Sequence, residues 1–77
     1  MRIIFLGRLA DQFGHERQLD LTPEQTVTDA ISALSDDEAH ILTTPGVSYV
    51  LDHQMVASDM ALGDAKELAF LPPVSGG

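Results

Sequence analysis

Gly76 and Gly77 are where this sequence of 77 residues comes nearest to a reactive group of its own. Glycine has no Cβ, so a Gly-Gly end passes through a channel that excludes every side chain. What it delivers is the carboxylate of Gly77, a group with an ordinary pKa of about 3.3–3.7 and therefore ionised near neutral pH. Four residues lead up to it, Pro72, Pro73, Val74 and Ser75. The prolines fix φ and hold the preceding residue extended, which sends the chain out in a stiff, directed way. Six extended residues reach roughly 20 Å. A Gly-Gly pair is equally what a frayed end looks like, so the dipeptide by itself decides nothing.

Other chemistry is thin. The chain has no cysteine, which removes a disulfide, a thiolate zinc site and a cysteine nucleophile together. His15, His40 and His53 lie far apart, each in an expected turn or loop, with no spacing suited to a metal. No Gly-rich phosphate loop and no nucleophile elbow occur. Asp36-Asp37-Glu38 reads as a solvated helix end, Gly63-Asp64 as a turn, and Lys66 as a lone cation before a strand.

Twelve Asp and Glu against four Lys and Arg give a net charge of −8. Such a surface repels phosphate backbones, which argues against nucleic acid and makes a poor nucleotide site. It is steered toward a partner with a basic face, or it serves solubility alone. Met1 to Leu6 is apolar but is interrupted at once by Gly7-Arg8, too soon for a signal peptide or a membrane span. A soluble, cytoplasmic protein is the expectation. A chain of this size buries roughly 60% of its unfolded surface, so its 44% apolar residues must supply the whole core.

These elements must position the tail. Arg2 to Leu9 is apolar on both parities, as in a strand covered on much of both faces. Leu9 to Phe13 reads as a loop anchored by Phe13, and Gly14-His15 as a hairpin turn. Glu16 to Leu21 alternates, with Leu19 and Leu21 inward, and reads as an antiparallel partner strand. Thr26 is an expected N-cap with Asp29 three residues on. Val27, Ala30, Ile31 and Leu34 then fall at i, i+3, i+4 and i+7, a core-facing helix that the Ser35-Asp36-Asp37 run ends. Ile41 and Leu42 are expected to fold back as satellite contacts, with or without a short helical turn. Val47 to Leu51 reads as a third strand, Asp52-His53-Gln54 as a tight turn, and Met55-Val56-Ala57 as a short fourth strand. Ser58 to Lys66 is a loop pinned by Leu62, and Glu67 to Leu71 is the last strand.

The pattern is α+β, a mixed sheet of about five strands with one main helix on one face. If the first and last strands lie side by side in the middle, both should be the most apolar, and they are. That arrangement is the β-grasp, or ubiquitin-like, fold. The folded domain is expected over residues 1–71, with residues 72–77 as a free extended Gly-Gly tail. Leu71 on the outward side of the last strand, Leu6 on the parity opposite Phe5, and Met55 on the short strand would make an apolar patch beside the tail exit. Tyr49 or Val50 could stand in for one of them; alternatively all three are ordinary core residues.

The end Glu67-Leu68-Ala69-Phe70-Leu71-Pro72-Pro73-Val74-Ser75-Gly76-Gly77 resembles that of the small subunits of molybdopterin synthase. The stretches Phe5 to Gly14 and Thr26 to Ala30 are similar to that family as well. The resemblance implies a sulfur carrier that is non-catalytic alone. An adenylating enzyme like those that activate ubiquitin would use ATP to convert the Gly77 carboxylate to an acyl-adenylate. A sulfur donor protein would turn that into a thiocarboxylate. The tail, threaded into the large catalytic subunit of a heterotetramer, would give its sulfur to the pterin precursor of the molybdenum cofactor. No cofactor or metal is implied for the chain itself; the ATP belongs to the activating enzyme. Two other classes remain open. One is a carrier for thiamine, cysteine or tRNA thiolation, or a ubiquitin-like modifier using the same activated tail. The other is a non-covalent β-grasp binding module whose tail is incidental.

Overall fold

The computed structural model describes residues 1–73. Five strands form one sheet: β1 (Arg2–Phe5), β2 (Glu16–Gln18), β3 (Ser48–Leu51), β4 (Gln54–Val56) and β5 (Glu67–Leu71). Three short helices are threaded between them: α1 (Arg8–Phe13), α2 (Val27–Ser32) and α3 (Asp36–Leu42). The strand order is β2-β1-β5-β3-β4. The first and last strands are the central pair and run parallel, whereas every other pairing is antiparallel. The mixed sheet of the β-grasp is therefore present, with β5 in place residue for residue.

Both central strands are apolar on both parities for a physical reason. Ile3, Phe5, Leu68 and Phe70 face the helices and are buried to 1% exposure or less. They pack with Leu9, Val27, Ala30, Ile31, Leu42, Leu51 and Leu62 in one core. Phe70 is its hub: Phe5 stacks on it at 5.8 Å, and Tyr49 meets it edge-on at 5.6 Å. The Tyr49 hydroxyl donates to the Leu42 carbonyl at 2.8 Å, and burial raises its pKa.

Helix α2 starts as its sequence demands. The Thr26 hydroxyl accepts from the Asp29 N–H and the Asp29 carboxylate accepts from the Thr26 N–H, a complete capping box. Val27, Ala30 and Ile31 are buried, and Leu34 packs against the core at the end of the stripe. The loop that follows β4 is laced to this helix start, with the Val27 N–H donating to the Met60 carbonyl and the Leu62 N–H to the Gln25 carbonyl. Leu62 pins it, at 2% exposure.

Five local expectations are corrected. Leu9 to Phe13 is not a loop and Gly14-His15 is not a simple hairpin turn: strand β1 stops at Phe5, and helix α1 occupies the connection to β2. A six-residue helix is marginal alone, and this one is held by burying Leu9 and Ala10. The Ser35-Asp36-Asp37 run, expected to close a helix, opens one. Ser35 caps α3 in a second capping box with Glu38, and the acidic residues occupy the first turn, where the helix favours negative charge. Leu42 at its far end is no satellite but fully buried core, and His40 lies on this helix rather than in a loop.

Arg17 on β2 ties these additions to the sheet. Its guanidinium donates to Glu38 Oε1 at 2.7 Å and to the Phe13 carbonyl at 3.1 Å, and it lies 5.4 Å from the Phe5 ring centroid. The hydrogen bond from Arg17 holds the Glu38 carboxyl at about 2, well below the ordinary 4.5. The same bond raises Arg17.

Candidate functional site

The site is built around the end of β5. Because β1 runs parallel to β5, the loop after β1 lies at the end of the sheet where β5 finishes. Because β3 runs antiparallel, the loop before β3 lies at that end too. The β1–β5 pairing runs one step past the strand, with the Leu6 N–H donating to the Phe70 carbonyl at 3.1 Å. Pro72 and Pro73 follow, both half-buried between the two loops. On one side of them is Gly7, where an added Cβ would stand 3.0 Å from Pro72 Cγ. On the other is Gly46, where a Cβ would stand 2.9 Å from Pro73 Cβ. Arg8, Asp11, Gln12, Ile41 and Val47 complete an open groove of about 420 Å³ beside the prolines.

Val74, Ser75, Gly76 and Gly77 lie outside the described residues. So does the reactive carboxylate expected at Gly77, together with the last three of the threading residues. The structure carries the tail as far as Pro73.

The expected contact patch can be placed. Register puts Glu16, Ile4, Ala69, Val50 and Met55 side by side across the sheet, on the face away from the helices. Leu6 and Leu71 continue that face toward the tail exit by the two-residue alternation of a strand. Leu6 is 41% and Met55 74% exposed, and Leu71 is half-buried. Ile4, Leu6, Val50, Ala69 and Leu71 line a shallow groove of about 430 Å³, with His53 and Glu67 at its far rim. Leu6, Met55 and Leu71 thus share one face and none is enclosed core. Val50 joins them. Tyr49, offered as a substitute, points the other way into the core.

The rim of this face is charged. Arg2 pairs with Glu16 at 3.0 Å and approaches Glu67 at 3.8 Å, while His53 lies 3.9 Å from Glu67. The Glu16 hydrogen bond raises the Arg2 pKa. Arg2, Glu16 and His53 are half or more exposed, so their pairs shape the rim more than they stabilise it. His53 belongs to the β3–β4 turn, where Asp52 and His53 both take positive φ, 45° and 71°. Asp52 accepts from the Lys66 and Glu67 N–H groups at 3.0 Å each, fixing where β5 begins. His15, His40 and His53 are all exposed, and among the described residues no three acidic or histidine groups gather as a metal would need. Among the same residues no helix is long and apolar enough to cross a membrane.

Sequence reading missed Gly7 and Gly46. Their signal was a glycine two residues after β1 and another two residues before β3, which becomes meaningful once β5 is known to lie between those strands.

The ThiS family model matches residues 3–77. Among solved structures, the crystal structure of SAMP1 from Haloferax volcanii superposes with a TM-score of 0.79 at 24% identity, covering 99% of this chain and 97% of that one. No curated protein matches the sequence.

Proposed function

The chain belongs to the ThiS family, and from that membership we propose that it is a sulfur carrier whose reactive group is the carboxylate of Gly77. The observation that carries the reading is the delivery of Pro72-Pro73 from the central strand to the edge of an exposed apolar face. Val74-Ser75-Gly76-Gly77 then offers no bulky side chain after Val74. The chemistry follows from the group. A carboxylate is a poor electrophile until its oxygen becomes a leaving group. An activating enzyme of the ubiquitin-activating kind transfers AMP from ATP to it and releases pyrophosphate. Sulfide-level sulfur released by a donor protein then attacks the acyl carbon, the bond to AMP breaks, and a thiocarboxylate remains. The chain supplies no acid, base or cofactor for these steps; it is the substrate that moves between enzymes in the cytoplasm.

For the acceptor, the reading is the large subunit of molybdopterin synthase, in a heterotetramer, with transfer of sulfur to the pterin precursor. The diproline end supports it. Leu6, Met55 and Leu71, with Val50 between them, would form the docking face, and Pro72 to Gly76 would thread into the active site of the large subunit. A second reading keeps the chemistry and changes the acceptor. A carrier for thiamine, cysteine or tRNA thiolation, or a protein modifier, is equally at home in a family matched under the name ThiS.

The test is an intact mass after incubation with ATP, sulfide and the activating enzyme of the same organism. Replacement of one oxygen by sulfur, absent in a chain lacking Gly77, is the expected result. An unchanged mass, with an enzyme proven on another carrier, sinks the carrier reading in favour of a binding module. Adding the large synthase subunit and pterin precursor separates the two acceptors: molybdopterin forms, or the thiocarboxylate persists.

A further inference from the structure

We propose that Gly7 and Gly46 are positioning residues that grip Pro72 and Pro73 from opposite sides and so set the direction in which the tail is presented. The inference rests on the carrier reading for its consequence, but the grip itself is a statement about this fold. Gly7 stands in the loop after β1 and Gly46 in the loop before β3, the two neighbours of β5. A side chain at Gly46 could not stand this close to the ring, and one at Gly7 would fit only if the ring gave way.

The two contacts differ in kind. At Gly7 a Cβ would meet the far end of the Pro72 ring, Cγ at 3.0 Å and Cδ at 3.5 Å, atoms that a change of pucker moves by a few tenths of an ångström. At Gly46 it would meet Pro73 Cβ at 2.9 Å, Cγ at 3.2 Å and Cα at 3.7 Å. Cβ and Cα are fixed to the backbone, so relief there requires the chain itself to shift. Proline makes the grip effective, because a ring with fixed φ passes a push to the next residue instead of absorbing it. Four residues beyond Pro73 span at most roughly 13 Å, so a change of heading at Pro73 displaces Gly77 from the place an active site expects it. Gly46 is the tighter jaw and Gly7 the softer one.

Substituting these glycines also strains the backbone, since both have positive φ, +56° at Gly7 and +94° at Gly46. The protein provides its own controls. Gly63 at +57° and Gly14 at +89° have nearly the same φ, and a Cβ at either meets nothing within 4 Å. Gly14→Ala and Gly63→Ala therefore carry a φ penalty without touching a proline.

The experiment measures steady-state adenylation of the full chain by its activating enzyme, with chain concentration varied, beside thermal unfolding of each variant. Gly46→Ala should raise KM for the chain at least tenfold over Gly14→Ala, and Gly7→Ala should raise it less, over Gly63→Ala. Equal KM within each matched pair overturns the proposal. An NMR measurement stands apart from activity: a cross-peak between the Gly46 Hα and Pro73 Hβ protons in the wild-type chain, and a shifted Val74 amide in Gly46→Ala but not in Gly14→Ala. Absence of that cross-peak overturns the grip. The cross-peak and the shift together, in a chain that no activating enzyme adenylates, uphold the grip while the carrier reading falls. Should Gly46→Ala fail to fold, Gly7→Ala against Gly63→Ala decides by the same two readouts.

Discussion

The two faces of the sheet are made by the same strands from the same kinds of residue, yet one is closed and the other open. Ile3, Phe5, Leu51, Leu68 and Phe70 lie under three helices with 9% exposure or less. Ile4, Leu6, Val50, Met55 and Leu71, on the opposite parity, have no element over them among the described residues and line or border a shallow groove. The lesson is that apolar character on both parities of a central strand has two separate causes. One face supplies stability; the other is held in reserve. An exposed apolar face of this kind is the sort of patch that marks a contact site. The rim pairs Arg2–Glu16 and Arg2–Glu67 border that groove without filling it.

The sharpest way to break this contrast is to remove a side chain from the closed face. Phe70→Ala takes away the ring that Phe5 and Tyr49 both contact. Truncation of a buried Phe costs about 3–5 kcal/mol, a large share of what a domain this size has. Denaturant unfolding should show an unfolded or barely folded chain at 25 °C. A loss below about 1 kcal/mol would mean the core is not arranged around Phe70.

The next effect concerns how the helices are fastened over that face. Glu38 joins Arg17 and the Ser35 N–H at one oxygen, and its side chain is only 12% exposed. Glu38→Gln should cost roughly 1.5–3 kcal/mol, the range for hydrogen bonds to a charged group. The pH dependence has a definite sign. The folded-state pKa of about 2 lies below the ordinary 4.5, so the ion pair contributes fully above pH 4.5 and its contribution is lost as pH falls toward 2. Unfolding curves between pH 6 and 2 should show the wild type losing stability in that window and Glu38→Gln losing less. Parallel curves would remove the Arg17 pair from the account.

Smaller still is the turn that sets where β5 starts. Asp52→Ala removes the acceptor for two backbone N–H groups, Lys66 and Glu67, and puts alanine at φ 45°. A loss of about 1–2 kcal/mol is expected from these causes together. Asp52→Gly separates them, since it relieves the φ strain and keeps the lost hydrogen bonds. The glycine variant should be the more stable of the two, and the reverse order would assign the whole effect to side-chain contacts.

How much of this was open to sequence reasoning follows from what was local. The Thr26–Asp29 capping box is settled within four residues, and it was legible. Strand β5 was legible because the apolar run Leu68 to Leu71 ends at a diproline that cannot continue a ladder. The place of β1 and β5 at the centre followed from their being apolar on both parities. Helix α1 was not legible: six residues hold too few turns for a stripe, and what makes them helical is the pocket that takes Leu9 and Ala10. Helix α3 was misread because an acidic run suits a solvated end and a first turn equally. Only the later burial of Leu42 decides between them. The grip of Gly7 and Gly46 on the prolines was hidden for a third reason. It depends on strand order, which brings together loops from different parts of the chain. That Leu6, Met55 and Leu71 share one face was legible as strand parity, whereas the choice between Tyr49 and Val50 needed the register to resolve.

The smallest effect on folding should be the largest on partnership, and it isolates the open face. Met55 is 74% exposed on β4, opposite Val50, with no helix above it among the described residues. Replacing it by glutamate buries no charge and opens no cavity, so its stability should change by no more than about 0.5 kcal/mol. On the docking reading the same change sets a charge in the middle of an apolar contact, where desolvating it is costly. Binding to the large subunit, measured by titration calorimetry, should weaken at least about tenfold, equivalent to 1.4 kcal/mol. Met60→Glu is the matched control, since Met60 is also exposed, at 46%, but lies in the loop that is laced to α2. If both variants bind like the wild type, the partner does not use the Met55 side of the open face. Should Met60→Glu weaken binding and Met55→Glu not, the contact surface lies on the helix side of the molecule. The division of labour between the two faces would then have to be reversed.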